Sequence, residues 1–398
     1  IINSGKALSV ATVKAGGLSE TITKMCIGNK IGFEFLDKDV ELFAPMCGSF
    51  VIELKEDVEN GKLSILGKTI EESKIKVNSN VTLSLDELIK VWEAPLEKVF
   101  PTKAESKFSK IENILDIGAS IARPSIVAHT KFAKPRVYIP AFPGTNCEYD
   151  SAKAFEDAGG IVSTTVFRNL KPEYIEESIS KIEEEIKKAQ IIMIPGGFSA
   201  GDEPDGSGKF ISAVFRNPKL KDAIHKHLYE NDGLMLGICN GFQALIKLGL
   251  VPYGDVIEPN DTMPTLTFNT IARHQSMFVK TKVVSKLSPW FNKVSLGEEF
   301  MIPISHGEGR FIANNEELEK LIKNGQIATQ YVDMAGNATY EMPYNPNNSI
   351  YAIEGITSPD GRVLGKMGHS ERAYRGIVKN IPGNKDQKIF ESGIEYFK

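Results

Sequence analysis

One of the four cysteines stands where a nucleophile would stand. Cys239 lies within Gly233-Leu-Met-Leu-Gly-Ile-Cys239-Asn-Gly-Phe-Gln243, followed by Ala244–Leu248. The apolar run Leu234–Ile238 predicts a strand and Asn240–Leu248 a helix, which puts the cysteine at the turn between them. Gly237 and Gly241 flank it at two residues on either side. Such glycines relieve crowding around a strained strand-to-helix turn, the thiol counterpart of the serine elbow in hydrolases. The helix that follows points its N–H groups and positive end at the sulfur, an arrangement expected to lower the thiol pKa and favour the thiolate. A buried core cysteine is the bland alternative, and the strand–Gly-x-Cys-x-Gly–helix context argues against it.

A nucleophile of this kind needs a base, and the base an orienting partner. Phe300–Ile304 predicts a strand leading into Ser305-His306-Gly307-Glu308-Gly309-Arg310. If extended geometry runs through this motif, His306 and Glu308 share one face, since the side-chain period of a strand is two. The carboxylate would then steady the imidazole. Among the other histidines, His225 and His227 fall on a polar helix and His129 near a connector. His274 and His369 each have an arginine close by, and are read as supporting residues, not catalytic ones. Attack on an amide also creates an oxyanion that needs two fixed N–H donors. The N–H of Asn240 is one candidate. The other is Gly197, in the loop Pro195-Gly-Gly-Phe198-Ser-Ala-Gly-Asp202 after the strand Ile191–Ile194. An ordinary glycine turn would look similar, and a phosphate loop is disfavoured because no Gly-Lys-Ser/Thr follows.

These residues need a scaffold. From Arg136 onward, strands (Arg136–Ala141, Ile161–Phe167, Ile191–Ile194) alternate with helices (Glu148–Ala158, Glu173–Lys188), predicting an α/β fold with a doubly wound, mostly parallel sheet. Ligands bind such sheets beyond the carboxyl ends of the strands, which gathers the loops after Ala141, Ile194 and Ile238 on one rim. Residues 1–94 read as a smaller α+β domain, with helices over Leu18–Met25 and Ser84–Trp92. Lys30–Phe35 and Gly48–Leu54 read as strands, and Leu63–Ile70 and Ile75–Leu83 as further short elements. Residues 95–135, with Pro95, Pro101 and Pro124, read as a poorly packed linker in which Ile111–Ile121 could form a short helix. Residues 136–398 form the catalytic domain.

The totals agree with a soluble protein: 398 residues, 41% hydrophobic and 25% charged, with a formal net charge of −4. That balance argues against nucleic acid and membrane surfaces as partners. No run approaches the ~20 apolar residues of a membrane span. Four sparse cysteines predict reduced thiols in the cytoplasm, with neither disulfides nor a metal site. Opening on Ile1 without a signal-peptide pattern, the chain is expected to be a piece of something longer.

With these residues in place, the second half resembles the class I, triad-type glutamine amidotransferases, a flavodoxin-like fold. More narrowly it is similar to the glutaminase domains of the phosphoribosylformylglycinamidine synthase family. The matching segments are Pro140–Asn146, Pro195–Asp202, Gly237–Leu248, His306–Phe311 and, near the end, Val363–Arg372. The resemblance implies Cys239 as nucleophile, His306 as base and Glu308 as its partner. It also implies glutamine contacts from Gln243, Phe198 and the stretch Asn269–Arg273, with Asn269 and Arg273 its named members. At Gly368-His369-Ser370-Glu371, many relatives have proline on either side of the histidine. The first half is similar to the tail of the ATP-dependent synthetase portion of the long single-chain enzymes. Lys14 and Ala15 stand there where a catalytic copy carries aspartate, which points to a structural role.

The implied activity is glutamine hydrolysis, feeding ammonia to conversion of formylglycinamide ribonucleotide to its amidine. ATP and Mg²⁺ would serve the full enzyme, no cofactor the glutaminase, and the rest of the synthetase would be its partner. A stand-alone cysteine amidohydrolase and a catalytically silent regulatory domain are the alternatives. An electrophilic glutamine analogue that labels Cys239, and is blocked by glutamine, separates the first from a glutaminase, and zero hydrolysis with the rest of the synthetase supplied would favour the second.

Overall fold

The computed structural model describes residues 1–36, 40–58, 63–104, 111, 114, 127–201, 206–373, 377–378 and 381–398. Most of the helix expected over Ile111–Ile121, and Asp202 of the glycine loop, lie outside the described residues. The chain divides into two compact units, 1–102 and 103–398.

In the first unit, β1 (Ala7–Thr12) pairs antiparallel with β3 (Phe50–Leu54). A four-stranded sheet runs β4 (Gly67–Ile70), β2 (Gly32–Phe35), β5 (Lys74–Lys76), β6 (Thr82–Ser84). Two helices, α1 (Gly17–Ile27) and α2 (Leu85–Glu97), close a small core of Leu18, Ile22, Cys26, Val51, Ile75 and Leu85. This is the expected α+β arrangement with two strands more: β1, whose Ala, Ser and Thr give little hydrophobic signal, and the division of the element expected over Ile75–Leu83 into β5 and β6. The boundary falls later than 94, because α2 continues through Pro95. Described residues of the expected linker belong to the second unit's packing, among them Ala128 and Phe132 against the main core. Ile114 is buried and its N–H donates to Gln330 Oε1 at 3.1 Å, and Ile111 packs beside Val279 and Tyr331.

The second unit is organised by a nine-stranded sheet in the order β13-β12-β15-β16-β17-β10-β9-β7-β8. Its parallel half contains β7 (Arg136–Ala141), β8 (Ile161–Val166), β9 (Ile191–Ile194), β10 (Leu234–Ile238) and β17 (Val363–Lys366). Strands β9 and β10 are apolar at almost every position and wholly buried, as strands covered on both faces must be. Strand β8 lies on one side of β7 and β9 on the other, so right-handed crossovers send α3 (Glu148–Asp157) and α4 (Pro172–Lys188) to opposite faces. Helices α5 (Lys209–Phe215), α6 (Pro218–Tyr229) and α7 (Asn240–Leu248) join α4's layer. The C-terminal helix, Ile389–Tyr396, joins α3. This is the doubly wound arrangement expected.

The other half is antiparallel. Strand β17 continues into β16 (Ile353–Thr357), β15 (Ile327–Val332), β12 (Gln275–Val283) and β13 (Glu299–His306). Four of the eight neighbouring pairs are thus parallel and four antiparallel. Beside the sheet, β11 (Thr265–Thr267) and β14 (Arg310–Ile312) form a short ribbon that follows the turn after His306. The end of β13 brings His306, and the turn after β17 brings His369, to the rim where β10 ends.

Candidate active site

Cys239 occupies the turn between β10 and α7 with φ 53° and ψ −105°, a left-handed conformation unusual for a residue with a side chain. The flanking glycines are sterically required. A Cβ on Gly241 would lie 2.0 Å from the carbonyl oxygen of Ile194, and one on Gly237 would lie 2.7 Å from the Gly241 carbonyl carbon. The elbow is anchored by its own N–H, which donates to Lys366 O at 2.9 Å. Its Sγ lies 3.5 Å from the carbonyl oxygen of Ser305.

The strained elbow is as expected, but the resting charge of the sulfur is not. Burial pushes the Cys239 thiol well above its ordinary range, and the neighbouring Cys147 and Glu371 add to the effect. Arg372 and the Asn240 N–H oppose it without prevailing. The thiolate expected from the helix terminus is therefore not the resting form, because the low dielectric around a fully buried sulfur outweighs the helix end.

The imidazole–carboxylate pair beside this thiol is His369 and Glu371. His369 Nδ1 lies 2.6 Å from Glu371 Oε1, both side chains are buried, and Nε2 of the histidine has no partner. Burial works to raise the Glu371 carboxyl, and the charge and hydrogen bond of His369 overcome it, so the carboxyl stays below its ordinary range. Gly196 connects this pair to the nucleophile. A Cβ placed there would lie 2.8 Å from His369 Cε1, 3.0 Å from Cys147 Sγ and 3.5 Å from Cys239 Cβ.

The expected His306–Glu308 pair does not form. Strand β13 ends at His306, so the alternation that would have aligned Glu308 stops one residue short of use. Glu308 turns away and accepts the Ser207 N–H at 3.1 Å. His306 Nδ1 instead meets Asn269 Oδ1 at 3.1 Å, and burial, with repulsion from His369 and His274, lowers its pKa to about 3. Asn269 is also occupied: Oδ1 accepts the Gly309 N–H, while Nδ2 donates to the carbonyls of Arg273 and His306. Its side chain staples the His306 turn together and does not stand free for a substrate.

Gln243 is similarly engaged. Asn240 Oδ1 accepts the Ser199 N–H at 3.3 Å, Asn240 Nδ2 donates to Gln243 Oε1 at 3.0 Å, and Gln243 Nε2 donates to Glu308 O at 2.5 Å. This amide chain ties the glycine loop, the elbow helix and the His306 turn into one rigid rim. Gly197 has φ 146°, and a Cβ would lie 2.6 Å from Gly144 O, so only glycine fits. The neighbouring Phe198 N–H donates to Gly144 O at 2.9 Å, which fixes the loop against the Pro143–Asn146 turn. Phe198 is 46% exposed and its ring lies 6.0 Å from that of His274. Arg273 is half-buried nearby in sequence.

Two further residues border the site. Cys147, fully buried before α3, has its Sγ 2.8 Å from Arg372 Nη2 and 3.8 Å from His369 Nδ1. Spacing gave no hint of either, since Cys147 is 92 residues from the elbow. Cys147, His369 and Glu371 are the one group of three potential metal ligands among the described residues. Their donor atoms are bonded to Arg372 and to one another, which makes them a hydrogen-bonded cluster.

Gly196→Ala tests the spacing directly. The added methyl has no room beside His369 Cε1, so the imidazole must move. A displacement of order 1 Å should cost about 10²-fold in kcat, with overpacking lowering stability by about 1–3 kcal/mol. A variant that folds with the parental kcat would show that the Gly196 face does not set the alignment.

Known proteins resemble this chain over about two thirds of its length. A family profile described as CobB/CobQ-like glutamine amidotransferase domain matches residues 134–397. A phosphoribosylformylglycinamidine synthase subunit PurQ from Methanococcus maripaludis strain C5 is 34% identical over 277 residues, covering 66% of this chain and 96% of that protein. The subunit of the same name from Aquifex aeolicus is 32% identical over 244 residues, covering 61% and 92%. The solved structure of PurLQS from Thermotoga maritima is 26% identical, covering 67% of this chain and 100% of that one, with a TM-score of 0.49. The chain belongs to the CobB/CobQ-like glutamine amidotransferase family.

Proposed function

We propose that residues 103–398 hydrolyse glutamine through Cys239, His369 and Glu371, supplying ammonia to the synthesis of formylglycinamidine ribonucleotide. The observation that carries this reading is the buried His369–Glu371 pair, 2.6 Å apart, facing Cys239 across Gly196. His369 Nε2, with Nδ1 committed to Glu371, is the free lone pair that takes the thiol proton as sulfur attacks the side-chain amide carbon. The oxyanion forms against the N–H groups of Gly197 and Asn240. His369 then protonates the departing ammonia, and deprotonates the water that cleaves the γ-glutamyl thioester. Phe198 and Arg273 are the proposed glutamine contacts at the mouth, while Gln243 and Asn269 hold the rim. His306 supports the turn and is not the base.

The partner is the synthetase portion, consistent with relatives named as synthase subunits. Residues 1–102 are read as a structural remnant of that portion. ATP and Mg²⁺ would act in the synthetase portion, with no cofactor needed for glutamine hydrolysis itself. The four free cysteines, two of them flanking Gly196, favour a reducing compartment and hence the cytoplasm. Among the described residues no helix is long and apolar enough to cross a membrane.

Cysteine labelling tests the reading. Iodoacetamide should react slowly with Cys239 at pH 7, and about tenfold faster per pH unit through pH 9, because burial holds the thiol protonated. An electrophilic glutamine analogue, delivered to the same sulfur with His369 as base, should label it rapidly at pH 7 and be blocked by glutamine. Equal, pH-independent rates for the two reagents would refute both the protonated resting state and the substrate site.

A further inference from the structure

We propose that Lys366 and Glu354 form a buried clamp that positions His369 against Cys239, an inference that rests on the reading of His369 as the base. Lys366 ends β17, and its main chain already serves the nucleophile, since its carbonyl accepts the Cys239 N–H at 2.9 Å. Its side chain serves the base. Both Lys366 and Glu354 are 0% exposed, with Nζ 3.2 Å from Oε1. Nζ also donates to Gly368 O at 2.6 Å and to Ser370 Oγ at 3.2 Å. Glu354 Oε1 accepts the Gly368 N–H at 2.6 Å, and its other oxygen accepts the hydroxyl of buried Thr329.

The pair thus holds the residue before His369 by both backbone groups and the residue after it by its side chain. All three ammonium protons have acceptors. Ser370 Oγ passes the restraint on to Gln387 Oε1 at 2.6 Å, and the His369 N–H is fixed by Pro303 O at 2.8 Å. Without the clamp, Gly368 would leave this loop its largest backbone freedom. With it, position 368 must be glycine, since a Cβ would lie 2.9 Å from Glu354 Oε1 and 3.0 Å from Lys366 Nζ.

Stability alone does not account for such a pair. The desolvation of two buried charges rivals their attraction, and apolar residues of equal volume commonly serve stability as well. What apolar residues would not do is hold three polar groups of one loop in fixed directions. One residue touching the nucleophile's N–H through its carbonyl, and the base's neighbours through its ammonium, fixes the relation between the two.

The test uses the full chain and the paired variant Lys366→Met/Glu354→Gln, which removes both charges together and leaves an amide able to hold the Gly368 N–H. Glutaminase kcat should fall about 10–100-fold with KM within about threefold. The pH profile of Cys239 labelling by an electrophilic glutamine analogue should shift, and thermal unfolding should remain cooperative. A folded double variant with parental kcat and pH profile overturns the proposal. If that variant does not fold, Ser370→Ala removes a single ammonium acceptor, and an unchanged kcat and pH profile there overturns it equally. His369→Ala in parallel separates the two readings: full activity in that variant would refute the base assignment itself, and the clamp with it.

Discussion

Cys239→Ala leaves the fold intact and abolishes glutamine hydrolysis. The expected loss in kcat is on the order of 10⁵–10⁶-fold, the scale at which removing a covalent nucleophile leaves only binding and oxyanion stabilisation. The fold should survive because the elbow's geometry is imposed from outside the side chain. The Cys239 N–H is held by Lys366 O, and the strand and helix on either side meet through Gly237 and Gly241. Alanine at φ 53° carries the same backbone strain as cysteine, so Tm should move by only a few degrees. Mass spectrometry during turnover should show a γ-glutamyl adduct on the parental chain and none on the variant. Residual hydrolysis at even a hundredth of the parental rate would mean that another group attacks.

The elbow was legible in advance because its requirements are local. A buried strand, a turn too tight for side chains at 237 and 241, and a helix starting at Asn240 all leave marks in eleven consecutive residues. The parallel half of the sheet was legible for the same reason, its strands reading as short apolar runs between exposed amphipathic helices. The antiparallel half was not. Strands β12, β15 and β16 contain Lys280, Lys282, Thr329, Gln330 and Glu354, polar residues that are satisfied only by partners far away in sequence. Glu354, for one, looks like an exposed residue until Lys366 is placed beside it.

Sequence and structure favour different imidazoles through a similar cause. Two His-x-Glu pairs follow the elbow, at 306 and 369, and the first looked better because an obvious strand leads into it. Alternation in a strand puts residues i and i+2 on one face only while the strand lasts, and β13 ends at His306 itself. The second pair sits in a short 3-10 turn, Ser370–Arg372, that has no periodic signal at all. Its imidazole and carboxylate meet because of local backbone geometry and because the Lys366–Glu354 pair fixes the loop. Arg372 closes that same turn, and Cys147 comes from the loop after β7, far away in sequence.

His369→Ala should lower kcat about 10²–10⁴-fold, whereas His306→Gln should lower it no more than about tenfold, through loosening of the turn that Asn269 holds. Energetics separate the two imidazoles. Both are buried with an unpartnered Nε2, and both lie on the rim where β10 ends. To take the proton from the thiol, however, the ring must become a cation in a dry site. His306 has a neutral amide at Nδ1, and burial lowers its pKa to about 3, so its charged form is strongly disfavoured. His369 has a carboxylate at Nδ1, and the hydrogen bond and charge of His369 hold the Glu371 carboxyl below its ordinary range despite burial. Only there does proton transfer produce a paired cation. Glu371→Gln sharpens the comparison, since it preserves the shape while removing the charge that stabilises the cation, and should reproduce most of the His369→Ala loss. Should His306→Gln instead lose a thousandfold and His369→Ala almost nothing, the carboxylate partner would not be what selects the base.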